Sequence, residues 1–261
     1  MLKKIKEKIK NIPYLGDFLH KIYLTVFRNE GQVFTLSNGL KMKRFMLTFQ
    51  PEYATSSYEK FITDALNKYL EPGQTFYDVG ANAGYFSLIA AKIVGTGGRV
   101  IAFEPHPKTA KTIKAQFRLN HLDYCEVVEA AASDTNGTAE FSDDMASVMQ
   151  HLVETNAGLA NQLTSKKRVA VSTIRLADYA AKSGQRPDLI KMDIEGAEIA
   201  ALEGSKALIR DANPILLVEL HNRAIRERYL EMMDEFEYQT EFLDQHEGAD
   251  RWFALSVKRH A

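Results

Sequence analysis

The sequence predicts an α/β fold built on a doubly wound, mostly parallel sheet. From Thr75 onward, apolar strands alternate with amphipathic helices, a spacing typical of parallel sheets. The first of these strands runs directly into a glycine loop and a helix, within residues 76–85. Acids lie near the ends of three strands, at Asp78, Glu104 and Asp193. Because ligands of such sheets bind at the carboxyl ends of the strands, we expect these acids around one ligand site.

Size and composition favour one large domain with N-terminal additions. The chain has 261 residues, of which 45% are apolar and 26% charged, as in ordinary globular proteins. A net charge of −1 argues against nucleic-acid binding. Cys125 is the only cysteine, which excludes an internal disulfide. No apolar run approaches the roughly 18 residues that span a bilayer, and the N-terminus lacks a continuous apolar signal core. We therefore expect a cytoplasmic protein.

The N-terminal part of the sequence predicts an extension, residues 1–50, that precedes a domain spanning residues 51–261. Residues 1–28 have apolar side chains at helical spacing, with seven basic side chains and two acids. This segment is expected to pack on the domain with its lysines in water. The alternative is a peripheral contact with the inner face of an anionic membrane. Further on, Asn38-Gly39 between two short apolar runs predicts a β-hairpin.

The remaining elements follow from apolar periodicity and turn residues. Ser56 or Ser57 is expected to cap a helix that ends near Pro72. The predicted strands are 75–79, 99–103, 126–131, 138–142, 168–174, 188–193, 214–220, 238–243 and 251–257. The predicted helices between them are 84–93, 107–119, 144–165, 176–182, 196–209 and 222–236.

The glycine loop indicates which cofactor the predicted site binds. Backbone N–H groups and a helix N-terminus of this kind approach bound cofactors closely. The loop reads Gly-x-Asn-x-Gly from Gly80 to Gly84 and lacks the third glycine of dinucleotide loops. Asp78 would repel a pyrophosphate but accommodate the ammonium group of a methionine. These features favour S-adenosylmethionine. A nicotinamide-dependent oxidoreductase on a related fold, and a non-catalytic cofactor-binding scaffold recruited to a membrane assembly, are the alternatives.

Five segments resemble the FkbM family of S-adenosylmethionine-dependent methyltransferases, in the family's order, between about residues 75 and 221. The resemblance implies a seven-stranded, Rossmann-like class I methyltransferase domain. It also implies O-methylation, in a family associated with natural products and glycans. The segments are FYDVGANAGY (76–85), AFEPHP (102–107), AASDTNG (131–137), KMDIEGAE (191–198) and ELH (219–221).

On this resemblance, the cofactor-binding residues can be assigned along the predicted strand ends. Glu104, followed by Pro105, is expected to bind both ribose hydroxyls through its two carboxylate oxygens. From their place after the third strand, Ala132 and Ser133 are expected to border the adenine, and Asp193 is also expected to bind the cofactor. The residues expected around the methionine part are Asp78, Gly80, Ala81, Asn82 and Gly84.

Catalysis requires a base or a metal, because an alcohol must lose its proton when it is methylated. Asp193, Glu219 and His221 lie at neighbouring strand ends, and His221 is the preferred base. Lys191 lies on the same strand face as Asp193 and is either a structural ion-pair member, which we favour, or a second base. Asp193, Glu219 and His221 also have ligand types that suit a divalent metal, but nothing in their spacing requires one and none is expected. The expected partner is a small-molecule or glycan acceptor, recognised through residues 31–60 and 144–165.

Overall fold

A seven-stranded sheet forms the centre of the computed structural model, which describes residues 31–45, 51–142, 168–246 and 250–259. The strands are β1 (Val33–Thr35), β2 (Lys41–Lys43), β3 (Thr75–Val79), β4 (Arg99–Phe103), β5 (Cys125–Val128), β6 (Ala131–Ala132), β7 (Gly137–Ser142), β8 (Arg168–Ile174), β9 (Leu189–Met192), β10 (Ile215–Leu220), β11 (Tyr238–His246) and β12 (Arg251–Lys258). The helices are α1 (Pro51–Thr55), α2 (Lys60–Tyr69), α3 (Tyr85–Val94), α4 (Pro107–Leu119), α5 (Leu176–Ser183), α6 (Glu198–Glu203), α7 (Lys206–Ala212) and α8 (Arg223–Glu235).

The order of the strands places a ligand site between β3 and β9. The large sheet has the order β11-β12-β10-β9-β3-β4-β5. β10, β9, β3, β4 and β5 are parallel, and β12 is antiparallel to both β10 and β11. The chain runs outward from β3 to β5 and then returns to β9 on the other side of β3. Sheets of this kind bind ligands at such a reversal. The predicted doubly wound, mostly parallel, seven-stranded sheet is confirmed.

Apolar cores cover the two faces of the sheet, as expected for parallel strands that are buried on both sides. Alternate residues of β3 belong to different cores: Phe76 packs with α3, whereas Tyr77 packs with Leu176 of α5. This alternation places Asp78 on the same face as Phe76. The carboxylate of Asp78 is therefore buried beside α3, just below the carboxyl edge of the sheet.

The predicted hairpin is confirmed as β1 and β2, and it packs against the domain. Lys43 exchanges two hydrogen bonds with the side-chain amide of Gln116 in α4, of 2.9 and 2.8 Å. Leu36 and Met42 are buried in the same core as α3. The division at residue 50 remains a prediction. The helices predicted within residues 1–28 and at 144–165 lie outside the described residues.

The predicted serine cap before α2 is wrong. The chain forms the short helix α1 first, and the N-cap of α2 is Glu59, with no side-chain capping hydrogen bond. The Oγ of Ser56 accepts a hydrogen bond from the Ser37 N–H at 3.0 Å. The Oγ of Ser57 pairs with Thr55 Oγ1 at 2.7 Å. Because both serine hydroxyls have other partners, neither caps the helix.

Two other predicted elements are each divided in the structure. The strand predicted at 126–131 ends at Val128, and β6 pairs instead with β8 in a three-stranded sheet of order β6-β8-β7. The helix predicted at 196–209 is divided into α6 and α7 at Gly204. A Cβ at Gly204 would lie 2.0 Å from the carbonyl oxygen of Ser133, so only glycine fits there. In the described part of the chain, no helix has the length and apolar character needed to cross a membrane.

Candidate functional site

The loop after β3 is held by backbone contacts from the strands on either side. The N–H groups of Gly80 and Ala81 both donate to the carbonyl oxygen of Phe103, at 3.0 and 3.1 Å. Gly80 has a φ of 80°, and a Cβ there would lie 1.9 Å from the carbonyl oxygen of Asp193. Asn82 also has a positive φ, of 46°, which asparagine tolerates better than most residues. The loop therefore depends on glycine to approach the end of β9.

The same loop ends where α3 begins. The Gly84 N–H donates to the Ala81 carbonyl at 2.8 Å, which closes a tight turn. Gly84 has a φ of 78° and is the N-cap of α3. A Cβ there would lie 3.1 Å from the side chain of Ile113 in α4. The helix N-terminus is thus fixed beside the loop, in a position suited to a polar ligand.

Glu104, which follows β4, joins the glycine loop to the start of α4. Its Oε2 accepts a hydrogen bond from the Asn82 N–H at 3.1 Å. Its Oε1 accepts one from the His106 N–H at 2.9 Å, across Pro105. Burial raises the pKa of Glu104 to about 7, and the two N–H groups act in the opposite direction. A carboxylate has about four acceptor positions, so Glu104 retains capacity for two ribose hydroxyls and fits the predicted role.

Asp78 lies beneath the loop, with 1% of its surface exposed. Its Oδ2 accepts a hydrogen bond from the Ser87 hydroxyl at 2.6 Å. Its Oδ1 is 3.7 Å from Lys191 Nζ. Burial raises the pKa of Asp78, although Lys191 and Ser87 oppose the rise. These contacts tie β3 to α3 and β9, and the predicted contact with the methionine part of a cofactor remains a prediction.

Lys191 is a buried cation between two carboxylates. Its Nζ lies 3.6 Å from Asp193 Oδ2 and 3.7 Å from Asp78 Oδ1. It also donates to the Gly80 carbonyl at 3.4 Å. Burial acts to lower the pKa of Lys191, but Asp193 and Asp78 outweigh it and raise the pKa. A lysine that holds its proton is a poor base, so the geometry favours the ion-pair role over the second-base role.

His221 follows β10 and is oriented by Glu198. Its Nδ1 lies 2.8 Å from Glu198 Oε1. That carboxylate also accepts hydrogen bonds from the N–H groups of Ile194, at 3.3 Å, and Gly196, at 3.0 Å. Burial acts to lower the pKa of His221, but Glu198 and the nearby Asp193 outweigh it and raise the pKa. The ring is therefore fixed, with Nε2 directed away from Glu198.

Asp193, Glu219 and His221 form a cluster at the ends of β9 and β10. One ligand atom from each lies within 4.8 Å of the others, and within the described residues this is the group placed to share a metal ion. Burial and the Asp193 carboxylate raise the pKa of Glu219 to about 9, while its ion pair with Arg251 opposes the rise. Burial acts to raise the pKa of Asp193, but Lys191 and His221 outweigh it and lower the pKa.

The sequence did not reveal three groups at the site: Glu198, Arg251 and Glu59. Burial and the Asp193 charge raise the pKa of Glu59 to about 7. Its backbone has a φ of 39°, which is strained for a residue with a side chain. Glu198 could have been noticed in the acid-rich segment 191–198. Arg251 and Glu59 carry no local signal, because tertiary packing alone brings them to the site.

The residues expected at the adenine lie partly in another sheet. Ala132 is buried in β6 rather than at the end of a main-sheet strand. The Ser133 N–H donates to the Ile174 carbonyl at 2.9 Å. Because β5 ends at Val128, the residues directly after it are Glu129 and Ala130. The contact of Ala132 and Ser133 with an adenine remains a prediction.

The family of the chain follows from the sequence comparison. A family model described as the methyltransferase FkbM domain matches residues 78–246, which is well over half of the chain. The chain belongs to the FkbM methyltransferase family. The match includes the glycine loop, Glu104 and the cluster.

Two curated relatives match parts of this chain. The chain is 30% identical, over 160 residues, to 31-O-demethyl-FK506 methyltransferase FkbM from Streptomyces tacrolimicus, covering 52% of this chain and 60% of that protein. It is 41% identical, over 64 residues, to protein-L-isoaspartate O-methyltransferase from Aeropyrum pernix, covering 24% of each protein. The chain thus spans about a quarter of one relative and three fifths of the other.

Solved structures include an FkbM methyltransferase from Methylobacillus flagellatus KT. The TM-score is 0.49 at 16% sequence identity, and the match covers 90% of this chain and 58% of that one. A SAM-dependent O-methyltransferase from Thermotoga maritima has a TM-score of 0.48 at 13% sequence identity, and the match covers 89% of this chain and 79% of that one.

Proposed function

We propose that this protein transfers the methyl group of S-adenosylmethionine to a hydroxyl oxygen of a sugar, glycan or other small metabolite. The observation that carries the proposal is the position of Glu104. Its carboxylate is fixed between the glycine loop and the start of α4, at the carboxyl edge where such sheets bind ligands. Membership of the FkbM methyltransferase family supports the same donor.

The donor would lie across the ends of β3 and β4. Glu104 accepts hydrogen bonds from the two ribose hydroxyls, and the glycine loop provides a close backbone surface. Asp78 and Lys191 hold that loop from below. S-adenosylmethionine, when bound, supplies a methyl group that is already electrophilic because its sulfur is positively charged. The protein's task is then to align the acceptor and exclude water.

The acceptor hydroxyl would lie at the cluster of Asp193, Glu219 and His221. An alcohol must lose its proton as the oxygen is methylated. His221 was the base predicted from the sequence; burial acts to lower its pKa, but Glu198 and Asp193 outweigh it and raise the pKa. We therefore assign the removal of the alcohol proton to the cluster as a whole, because its members are close enough to titrate together.

The names of the relatives support oxygen as the acceptor atom. One is named as an O-methyltransferase of protein L-isoaspartate, and the other as a 31-O-demethyl-FK506 methyltransferase. Those acceptors differ, and this chain spans only part of each relative. From the relatives we therefore take only oxygen as the atom that is methylated. As the class of acceptor we propose a hydroxylated small molecule or a glycan.

The proposal is tested first by calorimetry with S-adenosylhomocysteine and NAD, and then by transfer of labelled methyl groups. S-adenosylhomocysteine, the product of methyl transfer, should bind, and NAD should not. A panel of hydroxylated sugars, glycans and aglycones should yield at least one labelled product. Binding of NAD alone would favour the oxidoreductase. Product binding with no transfer to any hydroxylated acceptor would favour the non-catalytic scaffold.

A further inference from the structure

We propose that Asp193, Glu219 and His221 bind one divalent first-row metal ion, and that Glu198 is a positioning residue that orients His221 toward it. The ion's part in methyl transfer rests on the proposed function, but its binding does not. The sequence led us to expect no metal, because the spacing of these residues requires none. The side-chain geometry is what carries the proposal.

The separations within the cluster suit ligands around a shared ion. His221 Nε2 lies 3.6 Å from Asp193 Oδ1 and 3.7 Å from Glu219 Oε1. Both separations exceed the roughly 3.2 Å limit of a good hydrogen bond. Metal–ligand bonds of about 2.1 Å place neighbouring ligand atoms about 3 Å apart and opposite ones about 4.2 Å apart. The observed separations fall between these two limits.

A buried ring nitrogen, His221 Nε2, points into the cluster without a hydrogen-bond partner among the described residues. The His221 side chain is 10% exposed, and its Nε2 makes no hydrogen bond to the described residues. Glu219 is 1% exposed, Arg251 forms an ion pair with its Oε1, and a side-chain hydrogen bond joins its carboxylate to Asp193. Buried polar atoms are rarely left without a partner. An ion held by the cluster would supply a partner for His221 Nε2.

Glu198 gives His221 the orientation typical of a metal ligand. Such histidines usually donate their other ring N–H to a carboxylate, which fixes the tautomer and raises the ligand's basicity. Glu198 Oε1 lies 2.8 Å from His221 Nδ1, and Glu198 is itself fully buried. Backbone N–H groups of Ile194 and Gly196 hold that carboxylate in place. When the proton on Nδ1 is donated to Glu198, the lone pair on Nε2 faces the cluster and is available to a metal ion.

The charges around the cluster also favour a cation. Within the described residues, the ion pairs that reach it join five carboxylates to two permanent cations, Lys191 and Arg251. Five acidic groups against two bases leave an excess of three acidic groups before His221 is counted. The carboxylates are Asp78, Asp193, Glu195, Glu198 and Glu219.

The donor set indicates which ion to test. Two carboxylates and one imidazole combine the preferred ligands of hard and intermediate metal ions. Mg²⁺ and Ca²⁺ prefer oxygen alone, so a first-row ion such as Mn²⁺ fits better. An ion here would lower the pKa of a bound hydroxyl, which is what an alcohol acceptor needs.

The test measures Mn²⁺ binding by the full chain after a chelator has removed any metal. The electron paramagnetic resonance signal of free Mn²⁺ decreases as the ion binds, and this decrease gives the affinity and stoichiometry. We expect one Mn²⁺ per chain, with a nitrogen coupling in spin-echo spectra. Asp193→Asn and His221→Gln should each abolish binding. His121→Asn, at an exposed histidine far along the chain from the cluster, is the matched control and should bind as the wild type does.

Glu198 is tested through metal affinity. Glu198→Ala should weaken Mn²⁺ binding by about 10–100-fold, as loss of such partners commonly does. Glu198→Gln keeps an acceptor for Nδ1 and should lose less. Thermal unfolding of each variant separates loss of the ion from loss of the fold.

Two results would overturn the inference: no Mn²⁺ binding by the wild type, or equal binding by folded His221→Gln and wild type. Binding of S-adenosylhomocysteine by the metal-free protein is measured in parallel. If the product binds and Mn²⁺ does not, the metal site is wrong while the donor site remains supported. If Mn²⁺ binds and the product does not, the proposed function fails instead.

Discussion

The two halves of the site are held together by different forces. On the donor side, which comprises the loops after β3 and β4, backbone N–H groups fix Glu104 with hydrogen bonds of 2.9 and 3.1 Å. On the cluster side, which comprises the ends of β9 and β10 and the start of β12, charged side chains surround His221 Nε2 at 3.4–3.7 Å.

This difference indicates how each half responds to change. Hydrogen bonds to the backbone fix a shape, so the donor side is organised before any ligand binds. Ion pairs balance charge, so the cluster side depends on which charges are present. Lys191 joins the two halves, because it contacts both Asp78 and Asp193.

The largest expected effect follows from removing the Lys191 ion pairs that connect the two halves. Lys191→Met leaves the carboxylate of Asp78 buried without its cation, which should destabilise the fold by about 3–5 kcal/mol. Adding Asp78→Asn removes the unpaired charge and should restore most of that loss. Chemical denaturation measures each variant. If Lys191→Met unfolds at the wild-type denaturant concentration, the two halves are not joined by charge.

A smaller loss of stability is expected at the glycine loop. Gly80→Ala combines a positive φ with a Cβ placed 1.9 Å from the Asp193 carbonyl oxygen, and should cost about 3 kcal/mol. Gly184→Ala is the matched control, because Gly184 has a φ of 72° and, beyond its chain neighbours, no atom of the described residues lies within 4 Å of its Cβ position. It should cost about 1–2 kcal/mol. Equal unfolding free energies for the two variants would mean that close approach does not constrain the loop.

Next in size is the loss of donor affinity in Glu104→Gln. The amide cannot accept two ribose hydroxyls as a carboxylate does, and hydrogen bonds to a charged group contribute about 1.5–3 kcal/mol. Binding of S-adenosylhomocysteine should weaken by about 10–100-fold. Calorimetry measures the affinity, and thermal unfolding checks the fold. Unchanged affinity in the folded variant would remove Glu104 from the donor site.

The smallest effect is a pH dependence of donor binding. Burial raises the pKa of Glu104 to about 7, with Asp78 adding to the rise and Lys191 opposing it. Ribose hydroxyls bind the ionised carboxylate of Glu104. Below its pKa, Glu104 must therefore lose a proton before the donor can bind. Affinity for S-adenosylhomocysteine should therefore be constant above about pH 8 and fall about tenfold per unit well below pH 7. Glu104→Gln should lack this dependence. A wild-type affinity that stays constant down to about pH 5 would show that Glu104 ionises normally.

The donor side was largely predictable from the sequence. Its glycine loop is one short segment, and Glu104 follows the next strand of the alternating pattern. Local periodicity and turn chemistry therefore placed both at one edge of the sheet. The same reasoning predicted the seven-stranded sheet once the family resemblance was included.

The cluster side was predictable only in part. Asp193, Glu219 and His221 follow strands that the pattern revealed, but Arg251 lies at the start of the antiparallel strand β12. Its contact with Glu219 depends on strand register, which local sequence does not encode. The Ser56 and Ser57 cap failed for a similar reason, because tertiary hydrogen bonds replaced the local one. The break at Gly204 likewise reflects a contact with Ser133, far away in the chain.

The most direct test of the donor site is a crystal structure of the protein with S-adenosylhomocysteine. We predict that both ribose hydroxyls contact the Glu104 carboxylate, and that the sulfur lies between the glycine loop and the cluster. A product molecule bound elsewhere, with Glu104 bonded only to Asn82 and His106, would contradict the account.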